Sequence, residues 1–154
     1  MSFNNDLGML RALWTLYNAS TQSVANVANI QWSLSLEPIV PALAAQSIAR
    51  GGNVLGLNVP PQGVILVLLT ATFASAGDYA TVQTAADKLL ANIIQTAKGR
   101  GVFNPYVDVN HAGGDQDPLG SYGWANRLFL QTVALNYDPF GVFQTLMPGG
   151  FKLY

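Results

Sequence analysis

The amino-acid sequence predicts an α+β fold, an antiparallel sheet with helices packed on one face, in a single domain spanning residues 1–154. Two periodicities and one length argument carry that expectation. "IQWSLSL" alternates strictly between apolar and polar residues, as a strand with one covered face does. Residues 7–22 and 78–99 instead repeat their apolar side chains at helical spacing. Some connections between the expected strands are too short for the crossover that parallel pairing requires, so the strands pair antiparallel.

The elements follow in order. Asp6 is placed to cap a first helix, in which Leu7, Leu10, Leu13, Trp14 and Tyr17 make the apolar stripe until the pattern fades near Gln22. In the first strand Ile30, Trp32, Leu34 and Leu36 point one way and Gln31, Ser33 and Ser35 the other, with Glu37-Pro38 ending it. Trp32 and Trp14 read most simply as core residues under the helices. "PALAAQSIAR" is a short helix stopped by Gly51-Gly52, and "NVLGLNVPPQG" a loop that admits a short strand at "NVLGL". "GVILVLLTATF" is too short to span a bilayer and rich in β-branched residues, so it is a buried strand.

Asp78 caps a long helix with the stripe Val82, Ala85, Ala86, Leu89, Leu90, Ile93 and Ile94, and Gly99 ends it. "YVDVN" is expected as a last strand, "HAGGDQDPLGSYG" as a loop, "WANRLFLQTVALN" as a helix, and residues 137–154 as a C-terminal tail.

Composition excludes several functions. Half of the residues are hydrophobic and a tenth are charged, so the surface is unusually uncharged and leaves apolar area for a ligand or partner. The net charge of −1 with scattered basic residues gives no footprint for nucleic acid. With no cysteine there is no disulfide framework, zinc thiolate, thiol nucleophile or cysteinyl cofactor anchor. No signal pattern opens "MSFNNDLGMLRALW", and a cytoplasmic protein without membrane attachment is expected.

Taken in order, "IQWSLSLEPIV", "GGNVLGL", the strand and long helix, "YVDVNHAGGDQDPLGSYG", "NYDPFGVFQ" and "PGGFKL" form a larger pattern. From about Leu7 onward it resembles the C-terminal part, the substrate domain, of fungal FAD-linked oxidases of the berberine-bridge-enzyme type. In that family Asn-Tyr-Ala, Gln-Asp and Ser-Tyr-Gly segments precede a Tyr-Asp-Pro-x-x-Val-Phe tail. Here Asn110-His111-Ala112, Gln116-Asp117 and Ser121-Tyr122-Gly123 take those places, followed by Tyr137-Asp138-Pro139 and Val142-Phe143. The order and spacing of these segments carry the resemblance, since no one of them is specific.

The resemblance implies a flavin domain that precedes the matched region and lies outside this chain. No Gly-rich loop leads from a strand into a helix with a ribose-binding acid beyond it, so no cofactor is expected on this chain. The family pattern breaks at His111, the one histidine, which stands where the family has an aromatic residue near the reactive edge of the flavin. There an imidazole could exchange a proton with a substrate; the plain reading is a loop histidine bonded to a backbone carbonyl. Asp108 and Asn110 share a face if their segment is a strand, as an acid–amide pair or as solvated side chains.

The expected site therefore takes His111, Asn110 and Asp108 as catalytic residues, with Tyr106, Gln31, Ser33, Ser35, Trp32 and Tyr122 lining a substrate pocket. A metal reading of Asp108, His111, Asp115 and Asp117 fails on spacing, and Asp115 and Asp117 suit a capping turn before Pro118. A triad of Ser121, His111 and Asp108 lacks a nucleophile-elbow pattern.

Three functions follow for comparison. The first is a cofactor-free cyclase or isomerase, including a Diels–Alder-type pericyclase, acting on a small apolar intermediate of fungal secondary metabolism. Such chemistry needs only a shaped pocket, a few donors and orientation. The second is the C-terminal half of a split FAD-dependent oxidoreductase completed by a separate FAD-binding chain. The third is a non-catalytic binding protein. A homodimer is expected, because the sheet face and tail that the flavin domain covers in the family would be bare here.

Overall fold

The computed structural model describes residues 1–154. The chain runs β1 (Ser2–Asn4), α1 (Leu7–Val24), β2 (Gln31–Ile39), α2 (Pro41–Ala49), β3 (Val64–Thr72), α3 (Tyr79–Gly99), β4 (Phe103–Asn104), α4 (Pro118–Ser121), α5 (Trp124–Tyr137) and α6 (Val142–Thr145). Single 3-10 turns occupy Ala76–Asp78 and Val109–His111. The four strands make one antiparallel sheet in the order β2-β3-β1-β4, so the architecture is the expected α+β.

The β2–β3 ladder fixes which side chains share a face. Its register runs from Gln31 opposite Thr72 to Ile39 opposite Val64. Trp32 and Leu34 therefore lie on the face of Ile65, Val67, Leu69 and Ala71, and α1 and α3 cover that face. The main core joins Phe3, Met9, Leu13, Ile65, Val67, Leu89, Ile93 and Ala97. Each fully buried large side chain among them contributes about 1.5–3 kcal/mol relative to exposure. Val24, Val27, Val82 and Ala85 close the far end of the same layer.

Local chemistry explains the helix ends. Asp6 caps α1, its carboxylate accepting from Met9 N at 2.7 Å, and the same oxygen accepts from Arg100 Nη2 at 3.0 Å just past the end of α3. That contact ties the start of α1 to the end of α3, and Val24 meets Val82 at the other ends, so the two helices run antiparallel. Ser75, not Asp78, supplies the side-chain cap before α3, its hydroxyl accepting from Gly77 N at 3.2 Å.

The opposite face of the sheet is half covered. Val64 and Leu66 are buried there under Tyr106 and Tyr122, with Leu55, Leu57, Leu119 and Leu130 packed around them. Toward the other end Gln31, Ser33, Ser35, Thr70 and Thr72 are exposed. The side that α1 and α3 leave free thus carries an irregular apolar cap at one end and a bare polar patch at the other.

Several expectations change. β2 continues through Glu37-Pro38 to Ile39, because Pro38 sits on the outer edge of the sheet, where no neighbouring strand needs its missing N–H. "NVLGL" forms no strand. "YVDVN" is not a strand either: the pairing residues are Phe103 and Asn104, and Asp108 turns the chain by accepting from Asn110 N at 3.0 Å. β1 is an unexpected element, inserted between β3 and β4. Trp14 is exposed rather than buried.

Candidate functional site

The turn at Asp108–His111 gathers the three residues expected to be catalytic. Asp108 Oδ1 accepts from the main-chain N of Asn110 at 3.0 Å and from its Nδ2 at 3.2 Å. The other carboxylate oxygen lies 3.3 Å from His111 Nδ1, and His111 N donates to Asp108 O at 3.1 Å. A proton on Nδ1 is thus held by a carboxylate rather than by a backbone carbonyl, which leaves Nε2 as the nitrogen free to meet a ligand.

His111 lines a cavity of about 180 Å³ on the helix-covered side of the sheet. Leu34, Val67, Leu69, Leu90 and Ile93 form its apolar wall, and Gln83, Asp87, Asp115 and Gln116 its polar rim. A second cavity of about 210 Å³ adjoins it, sharing Leu69, Gln83 and Ala86, and runs on to Trp32, Phe73 and Tyr79. Trp32 is anchored in this layer, its Nε1 donating to Ser20 Oγ at 3.0 Å while Tyr17 Oη donates to its carbonyl.

Tyr106 and Tyr122 belong to the other side. Their rings stack with centroids 6.0 Å apart and 15° between planes, over Val64 and Leu66. Burial pushes the Tyr106 phenol up to about 12, helped by the negative charge of Asp108 and then by Tyr122 and Glu37. Burial and Asp108 raise Tyr122 as well. Both phenols therefore stay protonated at neutral pH and can act only as neutral hydrogen-bonding groups.

Gln31, Ser33 and Ser35 lie on this second side too, on its bare part, where Ser33 Oγ is 2.6 Å from Thr70 Oγ1. Eight of the nine expected site residues thus fall into three groups: the Asp108–Asn110–His111 turn, the tyrosine pair whose phenols feel the charge of Asp108, and the exposed serine–glutamine row. The ninth, Trp32, lies in the core layer and lines the cavity that adjoins the one at His111. Ser121, proposed above only to be rejected, donates its hydroxyl to Pro118 O at 2.6 Å and accepts from Val107 N at 3.0 Å. Asp117 caps α4, accepting from Gly120 N at 2.8 Å.

Sequence reasoning missed Gln83, Asp87 and Gln116 at the His111 cavity. It also missed Asn104, a buried amide whose Oδ1 accepts from Tyr106 N at 3.1 Å and whose Nδ2 donates to Asn4 Oδ1 at 3.1 Å. Gln83 and Asp87 are one helical turn apart and hydrogen-bonded at 2.8 Å, a spacing visible in sequence but common on solvated helix faces. No helix of the chain is long and apolar enough to cross a membrane.

The chain is similar to part of several longer fungal proteins. FAD-dependent monooxygenase sdcF of Emericella nidulans is 38% identical over 126 residues, which is 77% of this chain and 25% of that protein. Oligopeptidase PhomG' of Diaporthe leptostromiformis is 35% identical over 147 residues, 94% of this chain and 12% of that protein. The bifunctional solanapyrone synthase of Alternaria solani is 33% identical over 117 residues, 76% of this chain and 22% of that protein. Further fungal proteins named FAD-dependent monooxygenases match in the same way. The chain spans a quarter or less of these three relatives. No protein-family model matches it, and no solved structure does.

The names of these relatives raise the question of flavin, and the strand-to-helix junctions answer it for the dinucleotide. A pyrophosphate needs free N–H groups and positive potential at a helix start. At α1 that position holds the Asp6 carboxylate. At α2 Pro41 removes a donor, and at α3 the acid Asp78 stands at the helix start. These junctions do not fit the pyrophosphate of FAD.

Proposed function

We propose that this chain is the substrate-side module of a berberine-bridge-type, FAD-linked oxidoreductase of fungal secondary metabolism, with the flavin held by a separate FAD-binding polypeptide in the cytoplasm. The observation that carries this reading is the bare row of Gln31, Ser33 and Ser35 beside Thr70 and Thr72. It is a polar, uncovered half-face next to a dry tyrosine pair, open to a second body rather than shaped into a pocket. The similarity to FAD-dependent monooxygenases supports the chemistry of that second body.

The cavity at His111 holds about 180 Å³, below the about 300–1,000 Å³ that ligand pockets commonly enclose, and a cavity of about 370 Å³ lies elsewhere, among Ile39, Leu43, Ser47 and Leu57. In this reading the chain supplies hydrogen-bonding groups and shape to a substrate lying on the serine row.

The second reading, a cofactor-free cyclase or isomerase, rests on one specific observation. The His111 cavity and its neighbour share Leu69, Gln83 and Ala86, and together they reach the lower end of the size range of a small-metabolite pocket, with an imidazole at one end. There Nε2 of His111 would polarise a carbonyl while the apolar walls keep the substrate folded.

One experiment separates the two. The purified chain is dialysed and incubated with candidate apolar intermediates, with and without FAD, and both flavin absorbance and products are followed. The module reading expects no retained flavin and no turnover in either arm, with turnover restored by a co-purifying flavoprotein. Turnover by the chain alone without FAD would overturn it in favour of the cyclase. A flavin retained by the chain alone would overturn both.

A further inference from the structure

α2 is nine residues long, has no charged side chain and no side-chain cap, and buries none of its residues. A helix that short holds its shape in water only when something packs against it. Its Leu43, Ala44, Ser47 and Ile48 share one face by helical spacing, and together they line a cavity of about 370 Å³. That volume lies within the about 300–1,000 Å³ of ordinary ligand pockets, which neither cavity beside His111 reaches alone.

The walls are fixed in advance. Ile39 at the end of β2 and Leu57 in the loop after α2 belong to the lining and also pack against the tyrosine layer. Asn53 bridges loop and helix, its Nδ2 donating to Ser47 Oγ at 2.7 Å while its Oδ1 accepts from Leu55 N at 2.9 Å. Gly56, close against the Tyr122 carbonyl, ties the same loop down. The cavity adjoins the Ile39 end of β2, opposite to the end that carries Gln31, Ser33 and Ser35. It is therefore separate from the substrate surface proposed above and does not depend on it.

The lining says what would fit. Leu43 and Ile48 are 57% and 74% exposed, an apolar surface that an apolar body would cover. No charged side chain lines the cavity, so a charged group entering it would lose water without gaining a partner. The Ser47 hydroxyl is committed on one side only. Thr15, Thr84 and Thr96 donate to the carbonyl four residues back, as helical hydroxyls often do. Ser47 Oγ accepts from Asn53 and donates to no group of the chain, so its proton is left for an outside acceptor. On a neutral molecule the acceptor with no proton of its own to place is a carbonyl oxygen.

We infer that this cavity binds a small neutral molecule with an apolar body and a carbonyl group, the apolar part against Leu43, Ile48, Ile39 and Leu57 and the carbonyl accepting from Ser47 Oγ. Prodan, a neutral naphthyl ketone whose emission shifts to the blue out of water, is the probe. Titrated into the full chain it should give a saturable signal at one dye per chain. Anilinonaphthalene sulfonate, of similar size but anionic, should not displace it. Ala44→Phe fills the cavity with a ring and should abolish the signal, whereas Ala45→Phe, exposed on the same helix and outside the lining, should leave it. Ser47→Ala should weaken binding roughly three- to tenfold, as loss of one hydrogen bond does. Absence of saturable binding, displacement by the sulfonate, or binding that survives Ala44→Phe would each overturn the inference, the last by placing the dye on another surface. Should Ala44→Phe lose the wild-type circular dichroism spectrum, Ser47→Ala decides: weaker binding supports the site and unchanged affinity overturns it.

Discussion

Gly56 passes so close to the carbonyl of Tyr122 that a β-carbon at position 56 would overlap the oxygen. The contact joins the loop after α2 to the turn between α4 and α5, closing the layer over Val64 and Leu66. Gly56 also has a φ of 64°, which disfavours other residues, whereas Gly52, with a φ of 80°, has nothing within 4 Å of where its β-carbon would stand. Gly52→Ala should therefore cost only the backbone penalty of about 1–2 kcal/mol. Gly56→Ala should cost a further 1–3 kcal/mol or so from the clash. Urea midpoints at constant slope measure both, and equal losses would refute the close approach.

Asp6 serves α1 as a cap and α3 as an ion-pair partner through one oxygen. The Met9 N–H bond is the larger reason its carboxyl titrates below the usual range, with Arg100 second. A depressed folded value stabilises the protein above the unfolded carboxylate value of about 3.9, and that stability is lost as pH falls below it. Asp6→Asn keeps a capping side chain but loses the ion pair, and Asp6→Ala loses both. Melting temperatures at pH 7 should fall in the order wild type, Asp6→Asn, Asp6→Ala, over a span of roughly 2–6 °C. At pH 3 the gap between wild type and Asp6→Asn should shrink; a constant gap would assign the effect to packing.

Tyr106 gives the opposite pH signature. Its phenol is raised to about 12 in the folded chain, against about 10 when unfolded. Above the unfolded value the unfolded state releases the proton first, so stability present at neutral pH is lost as pH rises toward the folded value. Tyr106→Phe should change stability little at pH 7 and lose less than wild type between pH 9 and 11. Parallel losses in the two proteins would place the alkaline titration elsewhere.

His111 separates a chemical from a structural role. On the cyclase reading His111→Ala slows flavin-free turnover about a hundredfold, the usual effect of removing one transition-state donor. Its side chain is well exposed and bonded only to Asp108, so the melting temperature should stay within a degree or two. Asn110→Ala tests the other side chain held by Asp108. Full activity in both variants would remove this turn from the site, and unfolding of both would make it structural.

The long elements were legible because their patterns are longer than one period. α1 and α3 repeat their stripes over several turns, and β2 alternates apolar and polar residues through six positions from Gln31 to Leu36. β1, three residues long, and β4, two, are too short to show any period; their pairing partners decide them. The same shortness explains the error at "YVDVN", where alternation suggested a strand but the Asp108 side chain competes for the backbone and makes a turn. For the site, sequence found Asp108, Asn110 and His111 as neighbours and placed the serine row on one face. It had no means of seeing that Tyr106 would stack on Tyr122, or that His111 and the row would occupy opposite sides of the sheet.

The position of β1 has a kinetic consequence. Phe3 is fully buried at the centre of the sheet, yet its strand pairs with residues 64–66 on one side and 103–104 on the other. Those hydrogen bonds span loops of about 60 and 100 residues, whose closure entropy must be met before the contacts return anything. The β2–β3 pair, whose partners lie only 25 to 41 residues apart, should assemble first, and β1 should dock between β3 and β4 in a later step that closes loops as long as those between α1 and α3. Phe3→Leu would then speed unfolding while leaving the refolding rate nearly unchanged.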